Sequence, residues 1–167
     1  MNPLIQKIVV PIDFSDASKQ AAQYAAALAR RLDASLHLVH VLEPSDMATG
    51  TFEFYGGPSA EYLDRLYWSK RSQLVAVGAG LDGDVRVTSE VRHGTPADCI
   101  RDAAVDYGAD LVIMSTHGRS GLSHLLMGSV AEQVIRTARC PVLVIRNCGQ
   151  VHVYRPETVT ADVAPVV

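Results

Sequence analysis

Cysteine is scarce in this 167-residue sequence: Cys99, Cys140 and Cys148 are odd in number and form no CxxC pair. That excludes a disulfide-stapled secreted scaffold and offers no zinc-site spacing. Excess positive charge is missing too, since 15 Lys plus Arg stand against 18 Asp plus Glu for a formal charge of -3. A large electrostatic grip on a nucleic acid backbone is not expected from that balance. No apolar run approaches a membrane span, and Asp13 cuts the stretch Ile8–Ile12 behind Lys7 too short for a signal-peptide core. The expectation is a soluble cytoplasmic protein with no membrane or nucleic acid partner.

Several catalytic signatures are also absent. There is no GxxxxGK[ST] loop, which excludes a P-loop NTPase. The nearest approach to a nucleophile elbow, Gly121-Leu122-Ser123-His124-Leu125, lacks the second glycine that permits the sharp turn. Gly78-Ala79-Gly80-Leu81-Asp82-Gly83 matches GxGxxG, but it closes a helical stretch and precedes a strand. The dinucleotide fingerprint works in the opposite context, so these glycines read as a helix stop and a turn. His37 and His40 stand three apart on a strand, which sends them to opposite faces and argues against a shared metal ion.

What the chain does have is apolar residues, 48% of the total, enough for one compact domain. Four short runs, Ile8–Ile12, Leu36–Leu42, Leu111–Met114 and Val142–Ile145, read as buried strands. Val85–Arg92 alternates apolar and polar residues, which predicts an edge strand with one wet face. Between them lie helical periods. The first buries Ala21, Ala25, Leu28 and Leu32 behind Ser15 or Asp16 as a cap, and the second runs from about Ser59 to Val77, burying Leu63, Leu66, Leu74 and Val77. Capping-box spacings open the third at Thr95-Pro96-Ala97-Asp98 and the fourth at Ser129-Val130-Ala131-Glu132.

Such alternation builds a doubly wound α/β fold: a five-stranded parallel sheet, order 3-2-1-4-5, with helices on both faces. Ligands bind such sheets where the winding reverses, outside the carboxyl ends of strands one and four. That rule selects the loops Asp13–Asp16 and Ser115–Ser129, with Pro11, Ile12 and Met114 at the strand ends beside them. The stretch Glu43–Pro58, carrying Phe52, Phe54 and Tyr55, lies on the same side and reads equally as a lid or as a surface insertion. The domain is expected over residues 1–147, with a tail over 148–167. An apolar strand at 142–146 would leave an open sheet edge, which predicts a homodimer through it.

The segment Ser115–Ser129 carries most information. Gly118, Ser120, Gly121 and Gly128 leave backbone amides uncovered beside the amino end of the last helix, and Arg119 adds a cation. Two readings fit: a cradle for polyphosphate, or a glycine-rich turn with Ser129 as a helix cap.

Gly118, nine residues, then Gly128-Ser129 resembles the G-x2-G-x9-G-[ST] signature of the ATP-binding universal stress proteins, with Ser115 where that pattern has its first glycine. The likeness extends from Lys7–Ser15 through His93-Gly94-Thr95-Pro96 to Cys140–Arg146. It implies that Asp13 lies against adenosine, that Val41 contacts adenine, and that Gly118, Gly128, Ser129 and Val130 hold phosphates. Ser115 is small, and its hydroxyl is available to the ligand. The cofactor implied is ATP, with Mg2+ or Mn2+ carried on the phosphates. The leading expectation is a nucleotide-dependent regulatory or stress-response binding protein, with an unidentified protein partner in view. A stress-response protein of the same fold that binds no nucleotide, and a slow ATPase, are the alternatives. No general base is evident, and His117 is the best outsider.

Overall fold

The computed structural model describes residues 5–47, 59–81, 83–116 and 129–146. In chain order the elements are β1 (Lys7–Pro11), α1 (Asp16–Leu32), β2 (Ser35–Leu42), α2 (Pro44–Met47), α3 (Ala60–Ala79), β3 (Val87–His93), α4 (Pro96–Tyr107), β4 (Leu111–Ser115), α5 (Ser129–Thr137) and β5 (Val142–Ile145). The strands form one parallel sheet in the order β3-β2-β1-β4-β5, as expected. Its register sets Ile8 against both Leu36 and Leu111, Leu36 against Val87, and Val112 against Val142.

Strand residues alternate between two cores because successive side chains leave a strand on opposite faces. Ile8, Val10, Leu36, Leu38, Leu42, Leu111 and Ile113 pack with the alanines of α1 and with Leu74 of α3. Val9, Val39, Val41, Val112 and Met114 pack with α4 and α5. Every α1 residue buried against the first core is alanine, so that helix can lie close to the sheet.

Local chemistry starts and stops the helices. Ser15 is the N-cap of α1, its hydroxyl accepting from Ser18 N–H at 3.2 Å. Ser59 caps α3 in the same way through Tyr62 N–H. Gly108 ends α4 at φ +66, a left-handed conformation in which a side chain would be strained. Gly80 terminates α3, so the GxGxxG match does close a helix.

Three local expectations need correction. Thr95 sits at the N-cap of α4 with Pro96 behind it, but its side chain makes no capping bond, and Asp98 pairs with Arg101 at 2.7 Å instead of closing a box. In α1 Leu28 and Leu32 are half-buried, and in α3 only Leu74 is fully buried, whereas Leu63, Leu66 and Val77 are half-buried. That helix packs on β3 and β2 at the rim of the sheet, where it meets core on a narrow stripe. The edge strand begins at Val87 rather than Val85 and runs on to His93. Among the described residues no helix is long and apolar enough to cross a membrane.

Candidate functional site

A cavity of about 340 Å³ opens at the carboxyl ends of β1 and β4, where the order of winding reverses. Pro11, Ile12 and Asp13 form one wall, and Met114, Ser115 and Thr116 leave β4 on the other side. Val39, His40, Val41 and Glu43 come from β2 and its exit, and Pro96 and Ile100 from the first turns of α4. Ser129, Val130 and Ala131 bring the amino end of α5 to the same space, with Ser129 inside the first turn of the helix. Helix starts present N–H groups without intrahelical partners and a positive dipole end, a favourable place for an anion.

Asp13 is held by its own loop. Its Oδ1 accepts from Ser15 Oγ at 2.6 Å and from Ser15 N–H at 3.0 Å. Between them Phe14 takes φ +67, a left-handed conformation uncommon for a bulky residue. The loop is anchored behind by the Ile12 N–H, which donates to Val39 O at 2.8 Å and carries the β1–β2 pairing one residue past the strand. Opposite, Thr116 N–H donates to Ile145 O at 3.1 Å, so the exit of β4 is tied to the edge strand β5.

The cavity divides chemically. Val39, Val41, Ile100 and Met114 belong to the α4/α5 core and offer an apolar slot, while Asp13, Ser115, Thr116 and Ser129 offer polar groups. Its size lies within the range of roughly 300–1,000 Å³ usual for small-molecule sites, and the mixture of apolar walls with a few polar groups is also typical. Among the described residues lining it there is no Lys or Arg. No cluster of three His, Cys, Asp or Glu suited to a metal ion occurs among the described residues.

Of the residues singled out from the sequence, Pro11, Ile12, Asp13, Val41, Met114, Ser115, Ser129 and Val130 line this cavity. Gly118, Arg119 and Gly128 lie outside the described residues, as do His117, residues 48–58 and the tail from 147 onward. Thr116 lies within the selected loop Ser115–Ser129 and Glu43 opens the stretch expected on that side, whereas Ser18, Val39, His40, Pro96, Ile100 and Ala131 were not anticipated as lining. For Pro96 and Ile100 the signal was present, because α4 joins β3 to β4 and so crosses β2 and β1, placing its first turns beside β2. His37 and His40 do take opposite faces: His37 stacks on Tyr107 of α4, and His40 packs on Phe14 ahead of α1.

A second polar cluster lies on the α4 face, away from the cavity. Glu90 Oε1 meets His37 Nε2 at 3.1 Å and Arg92 Nε at 2.7 Å, and the other side of Arg92 reaches Asp106 at 2.8 Å. Burial alone would raise the Glu90 carboxyl, but the hydrogen bonds from Arg92 and His37 outweigh it and hold the group below its usual range. Burial pushes the Cys99 thiol up, away from the thiolate form a nucleophile requires.

Comparison with known proteins agrees with this architecture. The universal stress protein family model matches residues 4–146. Universal stress protein MJ0531 of Methanocaldococcus jannaschii is 36% identical over 148 residues, covering 86% of this chain and 84% of that one. The solved structure of hypothetical protein MJ0577 superposes with a TM-score of 0.74 at 28% identity, over 88% of this chain and 99% of the other. A universal stress protein solved in complex with cAMP shares the fold at a TM-score of 0.56 and 24% identity, over 85% and 97% of the two chains. The family match takes in every described strand and helix, from β1 to β5, and on that ground the chain belongs to the universal stress protein family.

Proposed function

We propose that this chain binds an adenine nucleotide, ATP, in the cavity at the β1/β4 switch point, and that the bound nucleotide biases the affinity of the protein for a partner. One observation carries the reading: a single cavity collects Asp13, Val41, Met114, Ser115, Ser129 and Val130 from four separate stretches of chain. The apolar slot between Val41, Ile100 and Met114 suits a purine, and Asp13 is an acceptor for ribose hydroxyls. The start of α5, with Gly118, Arg119 and Gly128 of the preceding segment, is the natural place for phosphates. Mg2+ or Mn2+ enters with the nucleotide, held by its phosphates. The relative crystallised with cAMP supports an adenine ligand for this fold.

Binding rather than turnover is the activity proposed. Phosphoryl transfer calls for a residue that orients the attacking group. Asp13 is already engaged by Ser15, and the reading assigns it to the sugar. Purified protein released with acid should yield adenine nucleotide in the supernatant in near-stoichiometric amount. A supernatant free of nucleotide, together with no uptake of added Mg-ATP, contradicts the reading. Turnover near the enzyme median of about 10 per second would make the chain an ATPase instead.

A further inference from the structure

The loop bearing Asp13 is gripped by a histidine of β2. His40 lies on β2 in step with Leu38 and Leu42, on the face covered by α1 and α3, whereas Val39 and Val41 face α4 and α5. It is 1% exposed, and its Nδ1 stands 2.7 Å from the Ile12 carbonyl oxygen. A carbonyl only accepts, so Nδ1 carries the proton and donates. β2 therefore holds Ile12 at both ends: the Val39 carbonyl takes its N–H, and the His40 ring takes hold of its C=O.

The next two residues complete the device. Asp13 turns into the cavity, and Phe14, at φ +67, returns its ring to the imidazole with centroids 4.4 Å apart. Lys70 of α3 places its ammonium 5.2 Å over the other ring of the pair, that of Phe14. Ile12 lies past the end of β1, where backbone orientation is no longer set by a strand on each side. A leucine at position 40 would fill the core as Leu38 and Leu42 do, but it has no donor for that carbonyl. Burial of a polar ring is tolerable because its hydrogen bond is made.

We propose that His40 is a positioning residue of the nucleotide site. From β2, in the wall of the same cavity, it fixes the Ile12 peptide and the Phe14 ring, and through them the direction of the Asp13 carboxylate. The proposal rests on the nucleotide reading above for its functional consequence, but not for its geometry. His40→Phe keeps a ring against Phe14 and removes the donor. His40→Asn keeps an N–H close to the Nδ1 position and removes the rest of the ring.

The test combines Mg-ATP titration with nitrogen NMR of the full-length chain. His40→Phe should bind Mg-ATP about tenfold more weakly than wild type, the size of effect given by losing one buried hydrogen bond, while His40→Asn recovers most of the affinity. A merely structural histidine would lower the melting temperature of both variants without this split. Equal affinity of His40→Phe and a nucleotide-binding wild type overturns the proposal. The second measurement needs no nucleotide: imidazole spectra of wild type should show Nδ1 protonated, and the Asp13 and Ser15 amide signals should move in His40→Phe more than in His40→Asn. An unprotonated Nδ1, or unmoved amides, overturns the proposal even where the nucleotide reading has failed.

Discussion

Asp13 and Ser15 form a closed pair in which one hydroxyl serves two ends of the same loop. Ser15 Oγ donates to Asp13 Oδ1 at 2.6 Å and accepts the Ser18 N–H at 3.2 Å, so the group that starts α1 also aims the carboxylate of the cavity. Ser15→Ala should therefore act twice. Loss of the cap should lower unfolding stability by about 1 kcal/mol, as read from urea denaturation. Mg-ATP affinity should fall together with it, because Asp13 loses the bond from the Ser15 hydroxyl that aims its carboxylate. Unchanged affinity alongside lost stability would separate the cap from the site.

The Glu90 cluster makes stability depend on acid in a defined direction. Its carboxyl is held below the ordinary value of 4.5 in the folded chain, so the folded state binds that proton less readily than the unfolded one. The stabilisation is fully present above the ordinary value and disappears as pH falls through the lower, folded value. Glu90→Gln should thus be less stable than wild type at pH 7, and the gap should be narrower at a pH well below 4.5. An equal gap at both pH values in urea unfolding would contradict this account.

Gly108 offers a cleaner backbone test. Its N–H donates to Ala104 O and Val105 O at φ +66, and an added Cβ would meet nothing nearer than Lys7 Nζ at 3.7 Å. Space is therefore available, and only the left-handed conformation opposes a side chain. Gly108→Ala should cost about 1–2 kcal/mol of unfolding stability. A neutral effect would mean that the end of α4 rearranges without penalty.

Much of this fold was readable in advance because alternation of buried strands and helices leaves few ways to wind a parallel sheet. β5 was predicted residue for residue at Val142–Ile145, and of the two caps expected ahead of the alanine stripe, Ser15 or Asp16, it is Ser15 that serves. The cavity was anticipated at Asp13 and Ser115 because the reversal of winding is a property of strand order. Other features depend on contacts between distant segments. The short α2 at Pro44–Met47 has too few residues to show a period. Thr95 and Asp98 satisfy the capping spacing, yet Arg101 competes for Asp98. His40 looks like any strand histidine until Ile12 and Phe14 are folded against it.

The edge strand β5 supports a proposal about assembly. Val142, Leu143, Val144 and Ile145 are each half-buried, and among the described residues β5 pairs on one side only, with β4. Proteins usually cover or charge such an edge, and two copies related by a two-fold axis would cover both. Sedimentation at tens of micromolar should give a dimer, and a monomer at that concentration would contradict the proposal.

The central claim is that an adenine nucleotide occupies the β1/β4 cavity, and calorimetric titration with Mg-ATP tests it most directly. Wild type should bind one nucleotide per chain with a dissociation constant well below millimolar. Gly118→Val should bind more weakly, because a bulky side chain obstructs the approach of phosphate to backbone amides. Absence of wild-type binding at millimolar Mg-ATP, or equal affinity of the two proteins, would contradict the account.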